Sequence, residues 1–238
     1  MVTVLAYHFW GREGYGEAFA KVEHAFVETW RHCGRLKSVL VVNESAPCVE
    51  RFAAENGNVE IQVEPSLIPG KIFTMSADMN GRLCERFGTP YVLVVQNDGY
   101  PLRPGLEEFV GKYDFIGAPY VGLQLWKQLV ARIANYHVQN GGFSLRSRAI
   151  CEAAAKCWNE KYHVLGDGKA TSEDIFYTST LVVKERRYRR DFRFAASRES
   201  LAFSWDASVP IPMPKALPFG FHGDDSLNVL KKAFDLRP

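Results

Sequence analysis

Residues Tyr91–Pro101 read YVLVVQNDGYP, and the fold turns on how this stretch is understood. Five apolar or β-branched residues in a row form a strand buried on both faces, of the kind that runs through the middle of a parallel sheet. Gln96-Asn97-Asp98 ends the strand, and Gly99 and Pro101 are turn residues. In an open α/β sheet, ligands bind in the crevice outside the carboxyl ends of the strands. Asp98, flanked there by amide side chains and a glycine that permits close backbone approach, is a candidate for holding a metal ion or a phosphate. Turn chemistry alone accounts for an aspartate at a strand end equally well, so the surrounding segments have to decide.

Toward the N-terminus, residues 2–7 form a first strand ending at Tyr7-His8. The loop Gly11–Gly16 leads into a helix with Phe19, Val22, Phe26, Trp30 and Cys33 at helical spacing, stopped by Gly34. The glycines run G-x-x-G-x-G with no acid at the expected distance, which sets aside a dinucleotide-binding dehydrogenase. Val39–Val42, ending at Asn43, and Val59–Val63 are further strands. Between them Ser45 and Pro47 open a short helix that Asn56-Gly57 closes. Lys71 begins a helix with Ile72, Met75, Met79, Leu83 and Phe87 on one face. This alternation of strand and helix predicts a parallel sheet with right-handed crossovers.

Beyond Asp98 the regularity changes. Leu106–Val110 reads as a short helix, Tyr113–Gly117 as a strand and Leu123–Tyr136 as an amphipathic helix. Asn140-Gly141-Gly142 is a turn by composition, followed by a brief strand Phe143–Leu145 and a helix near Ala149–Trp158. A loop around Gly166–Gly168 precedes another helix, from Thr171 through Leu181. A strand at Phe192–Ala195 and the proline-rich Val209–Pro218 lead to Phe219-Gly-Phe-His222. No repeat or linker divides the chain. The expectation is one domain over 1–238, with a βαβ half (1–98) and an irregular half (99–238) closing over it.

The bulk composition fits that expectation. The 238 residues are 47% hydrophobic and 24% charged, ordinary globular values that permit a large core. A net charge of +2 implies no nucleic-acid or other polyanion partner. The five cysteines include no C-x-x-C pair and read as reduced core residues. No basic, apolar leader opens the chain, and no run approaches the roughly 18 apolar residues of a membrane span. These features together predict a cytoplasmic protein.

Four other segments carry chemistry. Thr171-Ser172-Glu173-Asp174 matches a capping box with Thr171 as N-cap and Asp174 as its acid, and a carboxylate at a helix N-terminus can also face a ligand. The paired glycines of Asn140-Gly141-Gly142 let backbone amides approach a sugar or phosphate. His222 lies in an aromatic, glycine-flanked loop, where packing and metal ligation are both open readings. The run Lys184–Arg190 suits a solvated helix end, an anionic acceptor or a membrane surface.

In their order, VLVVQNDGYP, YDFIGAPY, NGGFSLRSR, SEDIFYTSTL and PFGFHG resemble glycosyltransferase-like proteins of the GT-A type, over about Tyr91 to Gly223. The resemblance implies an α/β fold with a Rossmann-like mixed sheet flanked by helices. It also implies a strand-end acid motif that binds Mn2+ or Mg2+ on the donor diphosphate, here Gln96-Asn97-Asp98, with Asp98 in the last position. His222 falls where such enzymes place a C-terminal metal-binding histidine. Glu173 and Asp174 match the acidic position that serves as catalytic base or acceptor contact, with Asp174 preferred. Asn140, Gly141 and Gly142 match the turn lining the sugar pocket. Tyr7, His8, Asn43, Lys71, Gln96 and Asn97 would face the nucleotide. The chain departs from the pattern at Gln96, which replaces the first acid.

The implied activity is transfer of a sugar from a nucleotide-sugar donor, expected to be UDP-linked, to a hydroxyl of a cell-surface glycan or glycolipid. It would take place at the inner face of the membrane, with contact through Lys184–Arg190. The alternative is a sugar- or nucleotide-binding module on the same fold that has lost turnover. Phosphoryl transfer through an Asp98 nucleophile ranks behind both, because Tyr100 stands where a second acid would be wanted.

Overall fold

The computed structural model describes residues 1–9, 15–119, 138–163, 172–209 and 211–236. Its centre is a six-stranded mixed sheet. The strands are β1 (Val2–His8), β2 (Ser38–Val42), β3 (Val59–Val63), β4 (Tyr91–Val94), β5 (Phe115–Pro119) and β6 (Gln139–Ser147), in the order β3-β2-β1-β4-β6-β5. The first four run parallel, β6 runs antiparallel to β4, and β5 runs antiparallel to β6. Helices α1 (Tyr15–Cys33), α2 (Pro47–Glu55) and α3 (Ile72–Arg82) connect the parallel strands, and α4 (Arg148–Cys157) follows β6.

The inner parallel strands β1, β2 and β4 are almost continuously apolar because both faces are covered, whereas β3, at the sheet edge, alternates as V-E-I-Q-V and is only partly buried. Val4, Ala6, Leu40, Val42, Leu93 and Val95 join a core with Phe19 and Phe26 of α1 and Phe52 of α2. Their neighbours Leu5, Tyr7, Val39, Val41, Val92 and Val94 join a second core with Met75 and Met79 of α3 and Ile150 of α4. Phe26 and Phe52 are almost wholly buried, so truncating either to alanine costs about 3–5 kcal/mol.

From β1 the chain builds outward to β2 and β3, and α3 then carries it back to β4 on the other side of β1. The strand order therefore reverses between β1 and β4. In such sheets the crevice at this reversal is where ligands bind.

The expected turn at Asn140–Gly142 is instead part of β6. Gly117 faces Ser144, but Pro119, two residues on, faces Gln139, five residues back. The strand thus carries three extra residues, Asn140, Gly141 and Gly142, as a wide bulge. Bulges re-aim side chains beside functional sites, and here glycine is required by crowding. A Cβ on Gly117 would fall on the Asn140 carbonyl oxygen. Glycine pairs signal a turn and a bulge alike, and only the partner strand tells them apart.

The expected strand at Phe192–Ala195 is also corrected. Phe194 makes one isolated bridge to Phe115, and no further ladder forms. Leu106–Glu108 is a single 3-10 turn, and Ala46 rather than Ser45 occupies the N-cap of α2, with Pro47 following. The helix after Ser172 passes from Glu173–Ile175 through a π-helical turn, Phe176–Thr180, to Leu181–Lys184. The N-cap there is Ser172. Thr171, most of the Gly11–Gly16 loop, the Leu123–Tyr136 helix and the Gly166–Gly168 loop lie outside the described residues.

A second, two-stranded sheet pairs β7 (Ser204–Asp206) with β8 (Gly220–His222) in parallel. It is tied to the end of β4. Leu102 N–H donates to the Phe219 carbonyl (2.7 Å), and Gly223 N–H donates to that of Asp98 (2.7 Å).

Candidate functional site

Gln96 and Gly99 close a tight turn through reciprocal backbone hydrogen bonds of 3.0 and 3.1 Å, which leaves Asn97 and Asp98 at its tip. Gly99 is needed by close approach. A Cβ there would lie 3.0 Å from Phe143 Cβ and 3.2 Å from the Phe221 carbonyl. At the reversal between β1 and β4 a pocket of about 240 Å³ is lined by Tyr7, Phe9, Gly70, Met75, Gln96 and Asn97, among others.

Beside the turn stands His222, at the end of β8. Its Nε2 is 3.4 Å from Gln96 Oε1 and 4.0 Å from Asp98 Oδ1. Its Nδ1 is 3.1 Å from Oδ2 of Asp206, the register partner of His222 across the small sheet. Asp206 is 3% exposed and saturated with donors: Ser208 N–H and Oγ–H reach its Oδ1 at 2.9 and 2.6 Å, and Asn140 Nδ2 reaches its Oδ2 at 3.3 Å. Asn140 is fixed in turn by Gly142 N–H, which donates to its Oδ1 (2.8 Å). A Cβ on Gly142 would fall on His222 Nε2 and lie 2.6 Å from Gln96 Oε1. The bulge therefore packs directly against the histidine.

Charge follows from this packing. Burial alone would lower the His222 pKa, but the hydrogen bond to Asp206 and the charges of Asp98, Asp206 and Glu173 outweigh it and raise it. Burial would likewise raise Asp206, yet its bonds to His222 and Ser208 hold it below the usual carboxylate range.

Glu173 lies against the neighbouring glycine. A Cβ on Gly141 would fall on Glu173 Oε1 and lie 2.6 Å from Arg146 Nη2. Glu173 is buried, with Arg146 Nη2 at 3.5 Å and Ser76 Oγ at 3.4 Å. Its pKa is raised, first by burial and then by the charge of Asp174, against the opposing pull of Arg146. Asp174 is differently employed. Its Oδ1 accepts from Ser172 Oγ (2.5 Å) and Ile175 N–H (2.6 Å), so it serves the helix start.

The nucleotide-facing set expected from the sequence is only partly assembled. Gln96 and Asn97 line the pocket with the ring of Tyr7, whose hydroxyl turns away to donate to Asp78 Oδ2 (2.7 Å). Burial and Asp78 push the Tyr7 pKa well up. His8 is buried with its ring 5.3 Å from that of Phe19, and burial lowers its pKa to about 4. Asn43 follows β2 and is half-buried, outside the pocket lining. Lys71 is exposed, between the pocket residues Gly70 and Ile72.

Asp206 and Arg146 are the polar residues that sequence reasoning did not single out. Arg146 is fully buried, stacked over Phe115 and Tyr177 at 5.0 and 4.7 Å, with Nη2 donating to the Gly141 carbonyl (3.2 Å). Its place in NGGFSLR was the available signal. For Asp206 the only signal was an acid two residues before Ser208, which is common turn chemistry.

Among the described residues, no group of three or more His, Cys, Asp and Glu side chains is arranged to hold a metal ion. What converges is one carboxylate, one imidazole nitrogen and one amide oxygen. Such a sparse set fits a hard cation whose shell is completed by phosphate oxygens and water, rather than a closed protein cage. No helix among the described residues is long and apolar enough to cross a membrane.

A mixed α/β sheet with a crevice at its strand-order reversal defines the class. Residues 74–222 match the model of the family described as "Protein of unknown function (DUF5672)", and the chain belongs to that family. No curated protein matches it. Among solved structures it is similar to the mannosyltransferase PcManGT from Pyrobaculum calidifontis in complex with GDP-Man and Mn2+, at 12% identity and a TM-score of 0.46. That match covers 82% of this chain and 54% of the other, so the chain spans about half the length of that protein.

Proposed function

We propose that this protein is a glycosyltransferase that moves a sugar from a nucleotide-sugar donor, UDP-linked by preference, to an acceptor hydroxyl of a cell-surface glycan or glycolipid. One observation carries the reading: the pocket at the β1/β4 reversal is lined by Gln96 and Asn97, Gln96 is 3.4 Å from His222 Nε2, which in turn is 4.0 Å from Asp98, and the buried carboxylate of Glu173 packs against the neighbouring Gly141. The pocket would take the nucleotide, bounded by Tyr7, Gln96 and Asn97. Asp98 and His222 would hold a divalent cation, Mn2+ or Mg2+, on the donor diphosphate. When bound, that cation supplies positive charge opposite the departing diphosphate.

Glu173 is the better of the two acids for taking the acceptor proton. Its raised pKa brings it closer to the working range of a general base, whereas Asp174 is engaged in the helix start. Asn140, Gly141 and Gly142 would border the sugar. The exposed Arg186, Arg187, Arg189 and Arg190 would rest on an anionic membrane at its cytoplasmic face.

A second reading is supported by Gln96 and by the ion pairing of Glu173 with Arg146: a binding module on one domain that keeps the donor site without turnover. Thermal-shift and calorimetric titrations with UDP, GDP and their sugar conjugates, with and without Mn2+, test both. Ligand at 100 times its Kd should stabilise the native state by about 2.7 kcal/mol. A flat response to every nucleotide sinks both readings. Binding without hydrolysis or transfer favours the module.

A further inference from the structure

We infer that Asp206 is a positioning residue. It holds His222 in the tautomer that carries its hydrogen on Nδ1, and so aims the Nε2 lone pair at the Gln96–Asp98 turn. The inference concerns two residues that the backbone itself brings together. Asp206 and His222 are register partners at the ends of β7 and β8, so neither side chain has to reach far.

The hydrogen bonds around the carboxylate favour one direction for the imidazole contact. Gly142 N–H takes the Asn140 oxygen, so the Asn140 NH2 group is the side that faces Asp206 and the imidazole. Asp206 Oδ2 can only accept. Nδ1 has two neighbours at 3.1 Å, the Asn140 NH2 group, which could donate to a lone pair there, and the Asp206 carboxylate oxygen, which such a pair would face; the anionic oxygen outweighs the neutral amide. With hydrogen on Nδ1, His222 and Asn140 both donate to the same oxygen, while Ser208 fills the other. A carboxylate that fixes an imidazole in this way sets the orientation and basicity of the opposite nitrogen. On the Nε2 side, Gln96 presents oxygen or NH2 by a half-turn of its amide, so it accommodates a bare nitrogen.

Burial explains why no other group could take over. Asp206 is 3% exposed, and its four donors leave no room for water to compete. Replacing the carboxylate with an amide turns one acceptor into a donor facing Nδ1, which favours the opposite tautomer. The role in ligand binding rests on reading His222 as part of a diphosphate–cation site, whereas the tautomer does not.

The experiment is long-range 1H–15N NMR of histidine-labelled full-length protein, with the His222 signals assigned by their loss in His222→Gln. The spectra are recorded at a pH where the ring is neutral. The wild type should show the Nδ1–H form, and Asp206→Asn should shift it to the Nε2–H form or a mixture. An Nε2–H ring in the wild type overturns the inference even if Asp206→Asn fails to fold. So does an unchanged tautomer in a folded Asp206→Asn. In parallel, calorimetry with UDP and Mn2+ should show affinity falling about 10–100-fold in Asp206→Asn. Tight metal-dependent UDP binding with an indifferent tautomer removes the positioning role and leaves the transferase reading standing. The expected tautomer with no nucleotide binding does the reverse.

Discussion

Glu173 Oε1 stands 3.5 Å from Arg146 Nη2, and both side chains are withdrawn from water. Arg146 is held between Phe115 and Tyr177 and cannot follow a mobile partner. Removing one member of a buried pair leaves an uncompensated charge and typically costs about 3–5 kcal/mol. Arg146→Met should therefore lower the unfolding free energy, obtained from the urea midpoint and slope, by an amount in that range. A midpoint within error of wild type would show that the pair carries no net stabilisation.

The same geometry separates the two neighbouring acids. Glu173→Gln keeps the shape and removes the proposed base, and on that reading should reduce transfer by about 10²–10⁴-fold. Asp174→Asn weakens a helix start, which costs on the order of 1 kcal/mol of stability, and should change transfer by less than tenfold. Steady-state rates on both purified variants decide the matter, and the opposite ranking assigns the base to Asp174.

A pH profile gives an independent view of Glu173. Burial and the adjacent Asp174 charge raise its carboxyl above the ordinary value of 4.5. A base works in its deprotonated form, so kcat/KM should rise with pH through an apparent pKa above 4.5. Removing the Asp174 charge takes away part of the cause. Asp174→Asn should move the acid limb to lower pH, and an unmoved limb would mean that another group controls it.

The parallel half of the fold was legible because its signals are local. Val39–Val42 is an apolar run whose alternate residues feed two cores, Val59–Val63 alternates so that Val59 and Ile61 pack against one of them, and Gly34 stops α1 at positive φ. The bulge at Asn140–Gly142 was not legible, because its geometry is set by Pro119 and Gly117 on another strand. Asp98 and His222 could be named from motifs, whereas Asp206 depends on a pairing between β7 and β8 that no spacing reveals. Asp174 and Glu173 were both visible in sequence as acids at a helix N-terminus, and the spacing preferred Asp174. The burial that distinguishes Glu173 is a tertiary property.

Glu64 offers a test of stability away from the site. Burial would raise its carboxyl, but hydrogen bonds from Ser66 and Arg86 and the charge of Arg82 outweigh this and lower it to about 2. Its ordinary value is 4.5, so the folded state favours the anion more than the unfolded chain does. The resulting stabilisation is fully present above pH 4.5 and is lost as pH falls toward 2. It is on the order of 3 kcal/mol, at about 1.36 kcal/mol per pKa unit. Urea titrations between pH 5 and 3 should show a steeper loss in wild type than in Glu64→Gln, and parallel slopes would refute the assignment.

Gly142 and Gly117 should fail in different ways when changed to alanine. At Gly142 the added Cβ meets the ends of two side chains, His222 Nε2 and Gln96 Oε1. Those ends can swing aside, so the fold survives while the histidine is driven off the Asp98 turn. At Gly117 the added Cβ meets the Asn140 carbonyl oxygen, which is backbone inside the bulge. No rotamer change relieves that overlap, and overpacking of this kind typically costs about 1–3 kcal/mol. Gly142→Ala should therefore keep a melting temperature close to wild type and lose Mn2+-dependent UDP binding in calorimetry. Gly117→Ala should melt several degrees lower, since about 1 kcal/mol corresponds to roughly 2–4 °C for a chain of this size. Equal melting losses in the two variants would mean that His222 is held as rigidly as the backbone, and that the site cannot yield without the sheet.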